Sequence, residues 1–150
     1  MKRLNLLFAV LLALVAFSGL GCGSSRQLQS IAISPATVTV ATSANAQFTA
    51  SAQFNISPMT VNPASVSWTI VGPGFDPPPS PGYSLSAQPV SFPCIGPSGS
   101  NYVVIAYAPV DPNAAQSGSM PSQVFQDLVM QHTASQEGGF IAATAHMTCS

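Results

Sequence analysis

Charged side chains are scarce in this chain of 150 residues, because Lys, Arg, Asp and Glu together make up only 5% of it. The basic residues are Lys2, Arg3 and Arg26, so no Lys or Arg follows Arg26. A protein that grips nucleic acid needs several cations to replace the counterions of the phosphates. The composition therefore excludes nucleic acid as a partner and argues against phosphate-rich substrates and anionic lipid headgroups.

The chain also lacks the known short motifs of catalysis. It has two His and four Asp or Glu residues, and none of them belongs to a nucleophile elbow, a P-loop, a dinucleotide fingerprint or an H-E-x-x-H helix. Asp76 and Asp111 lie beside prolines, where an aspartate usually forms a turn. We therefore predict that the protein is not an enzyme and needs no cofactor.

What the sequence does contain is a stretch of alternating apolar and small polar residues between Ser30 and Ile70. A period of two places one face of each segment in a core and the other in water, as in antiparallel strands. Pro35 interrupts the first strand and suits an edge strand that switches between sheets. The pattern predicts an all-β protein that begins with several short strands.

Four further segments follow this stretch. Residues 72–82 hold five prolines and form either a stiff connector or a binding loop. Residues 102–108 are apolar at both odd and even positions, which predicts a central strand covered on both faces. Residues 122–132 have apolar side chains four apart, which favours a short helix over a strand. Residues 140–149 form the predicted last strand.

The N-terminus has the three-part layout of a bacterial export signal. Lys2 and Arg3 precede an apolar run, residues 6–17, and small residues follow as far as Cys22. The run is shorter than the roughly 20 residues of a membrane-spanning helix, although a permanent anchor is the alternative. We predict an export signal at 1–21, a flexible tether at 22–29 and one domain at 30–150.

The end of the leader resembles the lipobox of bacterial lipoproteins at Leu20, Gly21 and Cys22. The family prefers Leu three places before the cysteine, whereas Gly19 stands there, and residues 19–21 also fit ordinary signal cleavage. The resemblance implies that Cys22 carries lipid and attaches the protein to a membrane. Gly23 stands where an inner-membrane retention signal would have aspartate, which favours the outer membrane.

The other two cysteines are predicted to pair. If Cys22 carries lipid, Cys94 and Cys149 remain together in an oxidising compartment. Each lies on the apolar face of its predicted strand, which suits a buried disulfide. The alternative is two free buried thiols.

The alternating stretch resembles the bacterial Ig-like domains of group two. The matching positions are Ile31, Ile33, Pro35, Val38, Val40, Gln47, Phe48, Ala50, Val66 and Trp68. The resemblance covers about the first third of the chain and implies an immunoglobulin-like antiparallel β-sandwich without enzymatic activity, in which Phe48 and Trp68 belong to the core. One core Trp and one disulfide are also typical of such sandwiches.

One set of residues suggests metal chemistry. Met130, His132, His146 and Met147 offer thioether and imidazole ligands, which suit copper. On a strand, however, His146 would point outward and Met147 inward, so the two would not converge.

The sequence thus predicts a lipid-anchored, Ig-like module displayed on the bacterial envelope, with a structural or adhesive role and an unidentified protein or glycan partner. The alternative is a soluble secreted or periplasmic binding protein, for copper in one version.

Overall fold

The computed structural model of the chain describes residues 25–75, 86–113, 126–127 and 135–150. Within them the backbone forms nine strands: β1 (Leu28–Ser34), β2 (Thr37–Val40), β3 (Asn45–Phe54), β4 (Thr60–Val61), β5 (Ser67–Val71), β6 (Val90–Pro93), β7 (Asn101–Pro109), β8 (Ser135–Glu137) and β9 (Phe140–Cys149). No helix in this described part is long and apolar enough to cross a membrane.

The first sheet is built on β3, its longest strand. Strand β1 pairs antiparallel with the second half of β3, from Thr49 to Phe54. Strand β6 pairs with its first half, and the short β4 pairs with Ala52 and Gln53. All of these pairings are antiparallel, as the alternating sequence predicts.

The second sheet has the order β2-β9-β7-β5, with β8 also paired to β9. Strand β7 lies antiparallel along β9 from Asn101↔Thr148 to Pro109↔Phe140 and so occupies one whole edge. Strands β2 and β8 therefore share the other edge, where β2 runs parallel to the end of β9.

The chain changes sheets between β1 and β2. Strand β1 belongs to the first sheet and β2 to the second, and only Pro35 and Ala36 separate them. Proline cannot donate to a strand ladder, so it suits this point of transfer. The switch predicted at Pro35 is confirmed. With β1, β3 and β6 on one sheet and β5, β7 and β9 on the other, the strands are divided as in immunoglobulin-type sandwiches.

The core lies between the two sheets and follows the alternation of the sequence. Phe48 is fully buried, and its ring centroid lies 6.4 Å from that of Phe92. Trp68 packs against the same cluster but is only half-buried, as is common for so large a side chain. The all-β sandwich predicted from the sequence is confirmed.

Strand β7 is buried on both faces, which also confirms its predicted central position. One face contributes to the core between the sheets. The other forms a smaller cluster on the outer side of the second sheet, made of Ile105, Tyr107 and Ala142 with Phe140 packed against them. A strand covered on both sides needs apolar residues at every position, which explains its continuous apolar sequence.

Tyr107 in this outer cluster should make stability depend on alkaline pH. Burial raises the pKa of Tyr107 above the ordinary value of 10.0, and the hydroxyl of Ser67 offsets part of the rise. Above about pH 10 the unfolded chain loses this proton before the folded one does. The free energy of unfolding should therefore fall as pH rises, by at most about 1.4 kcal/mol per pH unit.

Urea unfolding between pH 8 and 11.5 measures this slope. The chain has one lysine and two other tyrosines, so a variant is needed to isolate the contribution of Tyr107. Tyr107→Phe should flatten the alkaline decline, whatever its effect on stability at pH 8. An identical decline in the variant and the wild type would contradict the assignment to Tyr107.

The boundary predicted between tether and domain at residue 30 lies inside β1, whose bounds, Leu28–Ser34, are those that the sequence predicts for the first strand. Leu28 is buried and donates its N–H to the carbonyl of Val110 at 2.7 Å. A shift of register between Leu28 and Ser30 lets Leu28 and Ile31, three residues apart, both face the core. Residues 28 and 29 therefore belong to the sandwich and not to a flexible tether.

Two short strands were not predicted. Residues 55–64 contain Pro58 and Pro63, from which the sequence predicts a loop, but β4 lies there. Strand β8 lies inside the segment that precedes Gly138. Gly138 and Gly139 both have positive φ, 55° and 81°, and form the two-residue turn between β8 and β9. The helix predicted at 122–132 lies outside the described residues, apart from 126 and 127.

Candidate functional site

The sandwich has two ends that differ in chemistry. We call one the tether end, where Ser25–Gln27 lead into β1 and where β3 and β7 finish. We call the other the disulfide end, where Cys94 and Cys149 follow β6 and close β9. Any residue before Ser25 attaches to the tether end.

Residues 25–27, which lead into β1, are joined to the loop that follows β3 by four hydrogen bonds. The N–H of Gln27 donates to Oδ1 of Asn55 at 2.7 Å, and the N–H of Asn55 donates to the carbonyl of Gln27 at 3.1 Å. Nδ2 of Asn55 donates to the carbonyl of Ser25, and Nη2 of Arg26 donates to that of Pro58 at 3.0 Å. Asn55 therefore holds the start of the domain in a defined position.

A small cavity of about 200 Å³ opens between the two sheets at the tether end. Its walls are mostly apolar and include Leu28, Ala52, Phe54, Ala64, Val66 and Ala108. The three alanines leave space that larger aliphatic side chains would fill, since cores otherwise pack without voids of this size. The cavity is thus a direct consequence of small residues on facing strands.

Arg26 lies at this cavity and is the only Lys or Arg among the described residues. Its guanidinium carbon lies 3.8 Å from the centroid of the Phe54 ring, a cation–π contact. Its Nε is buried and has no hydrogen-bond partner among the described residues. The cation thus contacts an aromatic face and a neutral carbonyl.

The disulfide end is closed by the bond between Cys94 and Cys149, whose Cα atoms are 5.8 Å apart. Cys94 follows β6 of the first sheet, and Cys149 ends β9 of the second, so the bond joins the two sheets. Both cysteines are buried. The predicted pairing and its position on the apolar faces are confirmed.

Tyr102 is buried at the disulfide end. Its hydroxyl accepts a 2.7 Å hydrogen bond from the N–H of Gly96, six residues earlier, and its ring meets Phe75 edge-on with centroids 6.1 Å apart. A Cβ on Gly96 would lie 2.6 Å from the hydroxyl, so this close approach requires glycine. The arrangement matches the tyrosine corner of immunoglobulin-type sandwiches.

The role of Tyr102 is not among the predictions made from the sequence. The available signal was a tyrosine at the start of a buried strand, preceded by a turn with glycines at positions 96 and 99. That signal could have suggested a corner once the sandwich was predicted.

The loops of the disulfide end form its outer surface. They comprise residues 42–44, 72–75 and 95–100, together with Ser150. Ile95 is 51% exposed and is one of two large exposed apolar side chains in the described part of the chain, the other being Met59. The proline-rich segment predicted as connector or binding loop leaves the second sheet at this end, and residues 76–85 lie outside the described residues.

The four residues considered as copper ligands do not come together in the described part of the structure. His146 is exposed on β9, whereas Met147 is buried in the core, so these neighbours face opposite sides as their parity predicted. Met130 and His132 lie outside the described residues. In the described ranges, no group of three His, Cys, Asp or Glu residues is close enough to hold a metal ion.

Asp76 and Asp111, the two aspartates beside prolines, are predicted to form turns. Oδ1 of Asp111 accepts a 2.8 Å hydrogen bond from the N–H of Asn113, which is the turn-forming role predicted for it. Asp76 and the predicted lipidation residue Cys22 lie outside the described residues.

Comparison with known proteins adds no relative. No protein-family model, no curated protein and no solved structure matches the chain. The resemblance to group-two Ig-like domains therefore stays a prediction from the sequence.

Proposed function

We propose that the protein is a lipid-anchored module of the bacterial cell envelope, held by lipid on Cys22, that displays a β-sandwich and acts by binding or adhesion without catalysis. In this proposal residues 1–21 are an export signal and the sandwich is a group-two Ig-like domain on the outer membrane. The observation that carries the proposal is the small-residue sequence ending in Cys22, three residues before Ser25 at the tether end of the sandwich.

The geometry of the tether end supports a close approach to the membrane. An extended chain from Cys22 to Arg26 spans at most about 14 Å. Because Asn55 fixes the chain at Ser25 and Gln27, the tether end would face the membrane. Met59, which is 62% exposed, belongs to the loop at the same end.

The disulfide end supports a role in display. It lies opposite the tether, so its loops would point away from the membrane, where a protein or glycan partner can reach them. A buried disulfide suits an oxidising extracytoplasmic compartment. Binding surfaces on sandwich domains are commonly formed by end loops that a rigid scaffold positions.

Labelling with radioactive palmitate tests the anchor. The wild-type chain produced in a bacterium should incorporate the label and sediment with the membranes. Cys22→Ala should lose the label and leave the membrane fraction, because the acceptor thiol is absent. Ser24→Ala, two residues away, is the matched control and should keep both properties.

Two results would contradict the anchor. One is a wild-type chain that is exported without incorporating palmitate, which would favour the soluble secreted or periplasmic binding protein. The other is equal labelling of wild type and Cys22→Ala, which would place the lipid elsewhere.

A further inference from the structure

The cavity at the tether end has the size and polarity of a site for a small organic molecule. Its volume of about 200 Å³ exceeds that of engineered apolar cavities, near 150 Å³, that take up benzene. One aromatic ring with a short substituent would therefore fill it. The walls contributed by Leu28, Phe54 and Val66 suit the flat apolar part of such a molecule.

Arg26 supplies the only cationic group at this cavity, and it is not neutralised by a carboxylate among the described residues. Its Nη2 is already bonded to the carbonyl of Pro58, and Nε is buried without a partner. The positive charge of the guanidinium is thus met only by the ring of Phe54 and a neutral carbonyl among the described residues. An arginine with free donors most readily binds a carboxylate, because its planar geometry matches two carboxylate oxygens.

We propose that this cavity binds a small aromatic monocarboxylate, with the ring between the two sheets and the carboxylate beside the guanidinium of Arg26. Charge complementarity decides the ligand class, because Arg26 is the last cation in the sequence and the cavity walls carry no acid. The proposal does not depend on the lipid anchor, so the two can fail separately.

The Nε–H group of Arg26 provides a direct signal for the test. The chain has only one other arginine, Arg3, so the ¹H–¹⁵N spectrum of the full chain holds at most two arginine Nε–H signals. Loss of one signal in Arg26→Gln assigns it. Benzoate is the probe, and a ligand of about nine heavy atoms should bind with a Kd on the order of 1 mM.

The expected result is a saturable shift of the Arg26 Nε–H signal with benzoate, since the ligand charge lies beside the same guanidinium. Benzyl alcohol, which has the same ring but no charge, should bind about tenfold more weakly. Arg26→Gln should also weaken benzoate binding at least tenfold, measured from signals of the other cavity residues. Ala64→Leu, which fills the cavity but keeps Arg26, should abolish the saturable shift.

Three outcomes would overturn the proposal. Inorganic phosphate or acetate matching benzoate in affinity would mean that Arg26 attracts anions without using the apolar walls. Equal binding of benzoate by wild type and Arg26→Gln would remove the carboxylate contact. The absence of any saturable shift up to 20-fold above the expected Kd, that is about 20 mM, would show that the cavity takes no such ligand.

Discussion

Replacing Cys94 and Cys149 together by alanine should lower the free energy of unfolding by about 4 kcal/mol. The two cysteines are 55 residues apart in sequence, so the bond removes much of the freedom of the unfolded chain. It also joins β6 to β9 and thereby holds the two sheets together at one end. Against a typical stability of 5–15 kcal/mol this is a large share, and the melting temperature should fall by roughly 15 °C.

Urea unfolding with and without reductant measures the effect and contains its own control. Reduction should destabilise the wild type by about the same amount as the double substitution, and it should leave the double variant unchanged. A double variant within about 1 kcal/mol of the oxidised wild type would contradict a stabilising role for the bond.

Truncating Phe48 to alanine should cost about 3–5 kcal/mol. The side chain is fully buried on β3, and its strand neighbour in the register is Val90 of β6. Its removal leaves a cavity that the surrounding strands cannot close, because β3 is held by its pairing with β1 and β6 and the disulfide joins the two sheets. Thermal and urea unfolding of the variant measure the loss.

Gln47→Ala is the matched control for Phe48→Ala. Gln47 is the adjacent residue of the same strand, is exposed and points to the other face. Its truncation should change stability by less than about 0.5 kcal/mol. Because a slip of one residue would exchange the two faces, a larger loss for Gln47→Ala than for Phe48→Ala would show that the register of β3 is wrong.

Strands β1, β2, β3 and β5 and the inner face of each could be predicted because the sequence alternates there. Ile31 and Ile33, or Phe48 and Ala50, must share one face whatever the tertiary structure. The same parity placed Cys94 and Cys149 on the inner faces and His146 on the outer one. These predictions needed only local sequence, and the structure confirms them.

The remaining features depend on contacts between distant segments. Strand β4 has two residues and forms because loop 55–64 folds back on β3, which the local sequence does not indicate. The Tyr102–Gly96 bond requires the corner to be built before it can be recognised. The cavity beside Arg26 arises from three alanines that come together from three segments of the chain as the strands pack, and no local pattern marks it.

The lipid anchor on Cys22 can be tested most directly by the mass of one peptide. No Lys or Arg follows Arg26, so trypsin digestion of the unfolded mature protein releases residues 22–26 and leaves the rest as one fragment. If the protein is a lipoprotein, this short peptide begins at Cys22 and carries the added mass of acyl chains. An unmodified peptide that begins at Cys22, or one that extends into the leader, would contradict a lipid-anchored module.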